Sequence, residues 1–106
     1  MRLVHTLSEL KEVLAEVRTE RSIGFVPTMG ALHKGHLSLI ERCQQEGNFT
    51  VVSIFVNPLQ FSSEEDYEGY PRTLGVDARL LTDASVDVLF APSAAEVFPK
   101  EQSFPE

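Results

Sequence analysis

The chain has 106 residues, 42% of them hydrophobic and 24% charged, with a formal net charge of -7 at neutral pH. That length suits one small domain whose folding buries roughly two-thirds of the surface exposed by the unfolded chain, and the composition excludes a disordered chain but names no function. The acidic balance argues against nucleic acid, which needs a basic face, but not against a nucleotide held at a locally positive helix end.

Met1-Arg2 is followed by His5, Thr6, Ser8, Glu9 and Lys11 rather than an apolar stretch, so neither a signal peptide nor a membrane span is expected, and the location is read as cytoplasmic. Cys43 is the only cysteine, which fits a reducing compartment; it falls on an apolar helix face and is read as a small core residue. Thr6-Leu7-Ser8-Glu9 is a capping box, and Leu7, Leu10, Val13, Leu14 and Val17 then recur at helical spacing to about Arg18. His5 precedes the cap and is read as an ordinary exposed or packed histidine.

Ser22 to Val26 predicts a short buried strand, and a helix is expected from about Gly35 to Glu46, stopped at Gly47-Asn48. Phe49 to Val56, dense in β-branched residues, predicts a second strand ended by Asn57-Pro58. The following Glu64-Glu65-Asp66 run reads as a solvated loop or short helix start capped by Ser62 or Ser63. Thr73 to Ala84 predicts a helix with Leu74, Ala78, Leu81 and Leu80 inward, and Val86 to Phe90 a third strand. Ser93 to Glu96 repeats the capping-box pattern before Val97-Phe98-Pro99, and Lys100 to Glu106 has no periodicity.

The expected fold is therefore α/β: a β-α-β-α-β core preceded by a helix, forming a Rossmann-like parallel sheet. In such sheets ligands bind at the carboxyl ends of the strands, which would gather Met29 to His36, Asn57 to Phe61 and Pro92-Ser93 around one cleft.

Chemistry is concentrated in Pro27 to Leu37, P-T-M-G-A-L-H-K-G-H-L, between the first strand and its helix. The first N–H groups of a helix lack intrahelical partners and carry partial positive charge, which makes an anion site. Gly30 and Gly35 allow close backbone approach or positive φ. Their spacing matches a P-loop, but His36 and Leu37 stand where that motif needs Lys and Ser or Thr, so the Walker reading fails. In its place is H-x-G-H, whose His33 and His36 can hydrogen-bond phosphate oxygens and, if protonated, offset charge on a leaving pyrophosphate. A zinc site is disfavoured, because H-x-x-H lacks the one-turn spacing and glutamate of H-E-x-x-H and no nearby cluster completes four ligands. Asn57 and Gln60 follow a strand's carboxyl end and read equally as ligand contacts or loop-stabilising amides.

H-x-G-H after P-T-M-G resembles the nucleotidyltransferase superfamily. S-I-F-V-N-P-L-Q-F (53–61), Y-P-R-T-L (70–74), D-V-L-F-A-P-S (87–93) and E-V-F-P (96–99) narrow the resemblance to the pantothenate synthetase family, the pantoate:β-alanine ligases. The resemblance implies a two-step reaction in which ATP and pantoate form pantoyl adenylate and β-alanine then displaces AMP. It also implies a run of ATP-binding residues, Met29, Gly30, Ala31, Leu32, His33, Lys34, Gly35 and His36, with His33 and His36 catalytic and His36 the donor to the leaving group. Gln60, Pro27, Met29, Asn57 and Tyr70 would border the pantoate and β-alanine site; the alternatives are core packing for Met29 and loop anchoring for Tyr70 and Arg72. Mg2+ is expected with ATP, with no protein ligand named for it, and the family's full-length members are expected to be homodimers. Residues 1–106 would form the N-terminal part of the ATP- and pantoate-binding domain. The later lysine, aspartate, second glutamine and smaller C-terminal domain of the family are absent, so this chain is expected to be a fragment that binds without full turnover. The rival expectations are another H-x-G-H adenylyltransferase and a non-catalytic binding or assembly module.

Overall fold

The computed structural model describes residues 1–97. The Phe98-Pro99 end of the E-V-F-P run and the aperiodic segment from Lys100 to Glu106 lie outside the described residues. Four strands, β1 (Arg2–Val4), β2 (Ile23–Thr28), β3 (Phe49–Ile54) and β4 (Val88–Phe90), pair in the order β1-β4-β3-β2, all parallel. The helices are α1 (Leu7–Val17), α2 (Lys34–Gln45), α3 (Glu64–Gly69), α4 (Leu74–Asp83) and α5 (Ala94–Val97), with a 3-10 turn at Pro58–Gln60.

The Rossmann-like parallel sheet expected from the sequence is present, with one strand more than predicted. β1 is only three residues long and buries only Val4, so no period marks it; it is held by pairing Arg2, Leu3 and Val4 with Val88, Leu89 and Phe90. Two further bonds lock its ends, Arg2 N–H to Asp87 O at 3.0 Å and Ala91 N–H to Val4 O at 2.9 Å. The predicted strands also shift: β2 runs on through Pro27 and Thr28, β3 stops before Phe55, and β4 begins at Val88 rather than Val86. Pro27 is tolerated because β2 is an edge strand with one side free of the ladder.

Successive strand residues face opposite sides, and this splits the core in two. Val51, Val88 and Phe90 meet Val4, Leu10 and Val13 beneath α1. Val52 and Leu89 meet Val26, Ile40, Leu81 and Val86 beneath α2 and α4. The central strands are therefore covered on both faces, whereas the strand expected to be buried at Ser22 to Val26 buries only Val26 and leaves Phe25 exposed, because β2 is the sheet's edge. The Thr6 cap forms as predicted: Glu9 N–H donates to Thr6 Oγ1 at 3.1 Å and His5 N–H to Glu9 Oε1 at 3.1 Å. The His5 bond, followed by that from the Thr6 hydroxyl, holds the Glu9 carboxyl below its ordinary pKa. Ser63 caps α3 by accepting from Asp66 N–H at 3.1 Å. At Ser93 only half of a capping box forms, because Glu96 Oε1 accepts instead from Leu7 N–H at 2.7 Å and ties α5 to α1. Leu74, expected inward, is exposed in the first turn of α4.

Gly24 explains how closely α2 lies on the edge strand. A Cβ built there collides with Cys43 Sγ and lies 3.1 Å from Asn48 Cβ. Cys43 is half-buried and its sulfur sits 3.5 Å from Thr50 Oγ1, in keeping with a packing role. Gly24→Ala is expected to destabilise the fold by about 1–3 kcal/mol through overpacking. Cys43→Ala in the same chain should recover part of that loss, read as the shift of the urea unfolding midpoint.

Candidate functional site

β2 ends at Thr28, whose hydroxyl donates to Ser53 O at 2.9 Å and accepts from Gly30 N–H at 3.1 Å. The chain then makes a left-handed turn, Gly30 at φ 85° and Ala31 at φ 50°. For alanine that region costs about 1–2 kcal/mol, so the turn must be held from outside. Asp77, on α4, holds it. Ala31 N–H donates to Asp77 Oδ2 at 2.9 Å, Leu32 N–H to Oδ1 at 3.0 Å, and the Thr73 hydroxyl to Oδ2 at 3.0 Å. Sequence reasoning missed Asp77, since an acid in an amphipathic helix is ordinarily solvated. The available signal was its place beside Ala78 and one turn before Leu81, on the inward stripe.

The turn's N–H groups are thus engaged internally, Gly30 by the Thr28 hydroxyl and Ala31 and Leu32 by the Asp77 carboxylate, and the next element, α2, follows directly on them. His33 is the N-cap of α2 and His36 its third residue. Gly35 N–H donates to His33 Nδ1 at 3.0 Å, and His33 N–H donates to His36 Nδ1 at 3.2 Å. This is a reciprocal cap in which imidazole nitrogens replace the usual hydroxyl and carboxylate. The ring centroids are 4.2 Å apart. With each Nδ1 accepting, the proton of each neutral ring sits on Nε2, leaving that N–H to donate to a ligand. Gly35 leaves room for this ring placement: a Cβ there would lie 2.8 Å from His33 Cε1 and would displace the His33 ring.

Burial pushes the His36 pKa below its ordinary value of 6.5, the adjacent His33 adds to the depression, and Asp77 opposes it. The neutral form of the ring is therefore favoured in the folded chain. The unfolded chain binds a proton at His36 before the folded chain does, so stability from the neutral ring is present above about pH 6.5 and is lost as pH falls through the folded value. The expected result is a His36 ring titration by NMR with a midpoint below 6.5; a midpoint at or above that value contradicts it.

His33 and His36 open on a cleft of about 630 Å³. Pro27, Met29, Gly30, Ala31, Asn57, Gln60 and Tyr70 also line it, with Thr28, Ser53 and Phe55, which sequence reasoning did not single out. Leu32 packs instead into the core beneath α2 and α4. Lys34 and Gly35 begin α2 without lining the cleft. Asn57 stabilises its own loop, its Oδ1 accepting from Leu59 N–H at 2.9 Å and capping the 3-10 turn, and the residue also lines the cleft.

Tyr70 is set edge-on to Phe61 at 5.6 Å between ring centroids. Its backbone is fastened by Arg72, whose Nη1 donates to Tyr70 O at 2.7 Å and whose Nη2 donates to Tyr67 O at 2.9 Å. Pro92 and Ser93 do not join this cleft. They line a neighbouring one of about 300 Å³, which shares Met29, Gly30 and Phe55 with the first. The reason is spacing: β4 lies two strands from β2, about 10 Å away along the ladder. Among the described residues no three His, Cys, Asp or Glu side chains converge as metal ligands, and no helix is long and apolar enough to cross a membrane.

Residues 2–105 match the family model described as pantoate-beta-alanine ligase. Pantothenate synthetases of Brucella ovis and Brucella canis are each 54% identical over 101 residues, covering 94% of this chain and 34% of theirs. The crystal structure of pantoate-beta-alanine ligase from Francisella tularensis, complexed with beta-gamma ATP and beta-alanine, matches all of this chain and 42% of that one at 39% identity and a TM-score of 0.89. Pantothenate synthetase from Thermus thermophilus matches at 49% identity and a TM-score of 0.77, covering 97% of this chain and 36% of that one. The chain thus spans about a third of the length of the curated relatives it matches.

Proposed function

Because the chain belongs to the pantoate-beta-alanine ligase family, we propose that it carries the phosphate- and pantoate-binding portion of a site that joins pantoate to β-alanine at the expense of ATP. The observation that carries this reading is the reciprocal histidine cap at the N-terminus of α2, opening on the cleft that also holds Asn57, Gln60 and Tyr70. Residues 1–106 would be the N-terminal part of the ATP- and pantoate-binding domain.

The pantoate carboxylate attacks the α-phosphorus of ATP, the bond to the bridging oxygen breaks, and pyrophosphate leaves with the bonding pair. The β-alanine amine then attacks the acyl carbon of pantoyl adenylate, loses a proton, and AMP departs. Neither step needs a protein nucleophile; both need alignment and donors aimed at oxygens gaining charge. His33 and His36 supply such donors through Nε2–H. The backbone dipole behind each ring polarises it toward the ligand, since Gly35 N–H and His33 N–H feed the two Nδ1 atoms. Burial beside His33 favours the neutral His36 ring before ligand binds, and in that form it donates through Nε2–H to the departing phosphates.

Gln60, exposed at the cleft, and the Asn57 amide suit a ligand bearing both hydroxyl and carboxylate, because an amide donates and accepts. Pro27 and Met29 supply apolar lining, and Tyr70 borders the same cleft. ATP would enter as its magnesium complex, with the metal carried on the phosphates. Homodimer assembly and a cytoplasmic location belong to the same proposal and rest on family membership.

An amide-resolved NMR titration of this chain with ATP and then pantoate tests the reading. Shifts at Gly30 and His36 on adding ATP, and at Asn57 and Gln60 on adding pantoate, are expected. Dispersed spectra indifferent to both ligands would overturn it as far as this chain is concerned.

A further inference from the structure

We propose that Asp77 is a positioning residue that aims the histidine pair, by acting as an internal anion for the turn that precedes it. The inference rests on the reading of His33 and His36 as phosphate donors. The Asp77 side chain is on a residue only 3% exposed, and among the described residues the one ion pair is Arg42 with Glu46, far along α2 from the turn. A buried carboxylate without a cation is costly unless hydrogen-bond donors satisfy it. Here all three donors are specific, and two are consecutive main-chain N–H groups, Ala31 and Leu32, on either side of the left-handed Ala31 Cα.

Consecutive N–H groups around a left-handed residue form a concavity of the kind that binds anions. In this molecule α4 fills it, so a ligand phosphate is left to the donors that follow, on His33 and His36. Packing agrees with that assignment: a Cβ on Gly30 would come within 3.1 Å of Asp77 Oδ2, so the carboxylate lies directly against the turn. The turn in turn sets where the N-cap His33 begins α2. The effect of Asp77 on the ligand is therefore indirect, through backbone placement two residues upstream of the first donor.

Asp77→Asn keeps the shape but presents one acceptor oxygen to two amides. In this chain its expected result is roughly 10- to 100-fold faster hydrogen exchange at Ala31 and Leu32, while Val52 and Leu89 in the sheet keep their rates. Unchanged rates at Ala31 and Leu32, or a rise in step with the sheet amides, would overturn the proposal. Should that variant fail to fold, Thr73→Val removes only the hydroxyl bond to Oδ2; faster exchange at Ala31 that Thr73→Ser restores supports the proposal, and no change refutes it.

A second readout is the His36 ring resonance during titration with ATP, for which Asp77→Asn should raise the ATP concentration at half-change roughly tenfold. If the unmodified chain ignores ATP, the phosphate-donor reading fails, while the exchange rates still decide whether Asp77 holds the turn.

Discussion

Replacing His36 by alanine is expected to slow pantoyl adenylate formation roughly 100- to 1000-fold, the usual loss when one preorganised donor to a developing oxyanion is removed. The measurement is pantoate-dependent exchange between pyrophosphate and ATP, made with this chain joined to the remaining portion of a family member. Alanine also deletes the acceptor for His33 N–H, so part of the loss would come from a frayed α2. His36→Gln separates the two effects. Glutamine at the third helical position can accept the N-cap N–H, as in ordinary capping boxes, yet it does not place a ring N–H at the far side. Rate loss with an unchanged unfolding midpoint in His36→Gln locates the effect at the ligand; full activity would remove His36 from the chemistry.

Leu81→Ala should produce the largest loss of stability of any single truncation considered. Leu81 is fully buried between α4 and the sheet, against the cluster that includes Val52 and Leu89. Emptying such a site costs about 2–5 kcal/mol, a large share of the ~5–15 kcal/mol that holds a small domain together. Because Leu81 lies one turn beyond Asp77, a loosened α4 should also release the Ala31 and Leu32 amides. Urea unfolding followed by circular dichroism gives the first effect and hydrogen exchange the second. A loss below about 1 kcal/mol would mean that α4 is not seated as described.

The two expectations differ in how far they could be read from the chain alone. The places of His33, His36, Gln60 and Asn57 beside the strand ends were legible because turn, cap and strand-end geometry is local: a few consecutive residues decide it. α1 was legible for the same reason, through its capping box and its helical stripe. β1 was not, since three residues carry no period and its partners Val88 to Phe90 lie far along the chain. Asp77 was not, because whether a helix carboxylate meets water or two buried amides depends on what the helix packs against.

The sequence by itself determined the alternation of strands and helices, the parallel sheet and the chemistry-bearing turn, since hydrophobic period, caps and glycines act over a few residues. Tertiary structure alone decided three things. It filled the glycine turn with Asp77, leaving the ring nitrogens of His33 and His36 as the outward donors. It brought Tyr70 to that cleft while sending Pro92 and Ser93 to its neighbour. It also partly buried His36 beside His33, which lowers the pKa of the His36 ring. Each depends on distances between segments remote in sequence, which sheet order and helix packing set and local propensity does not.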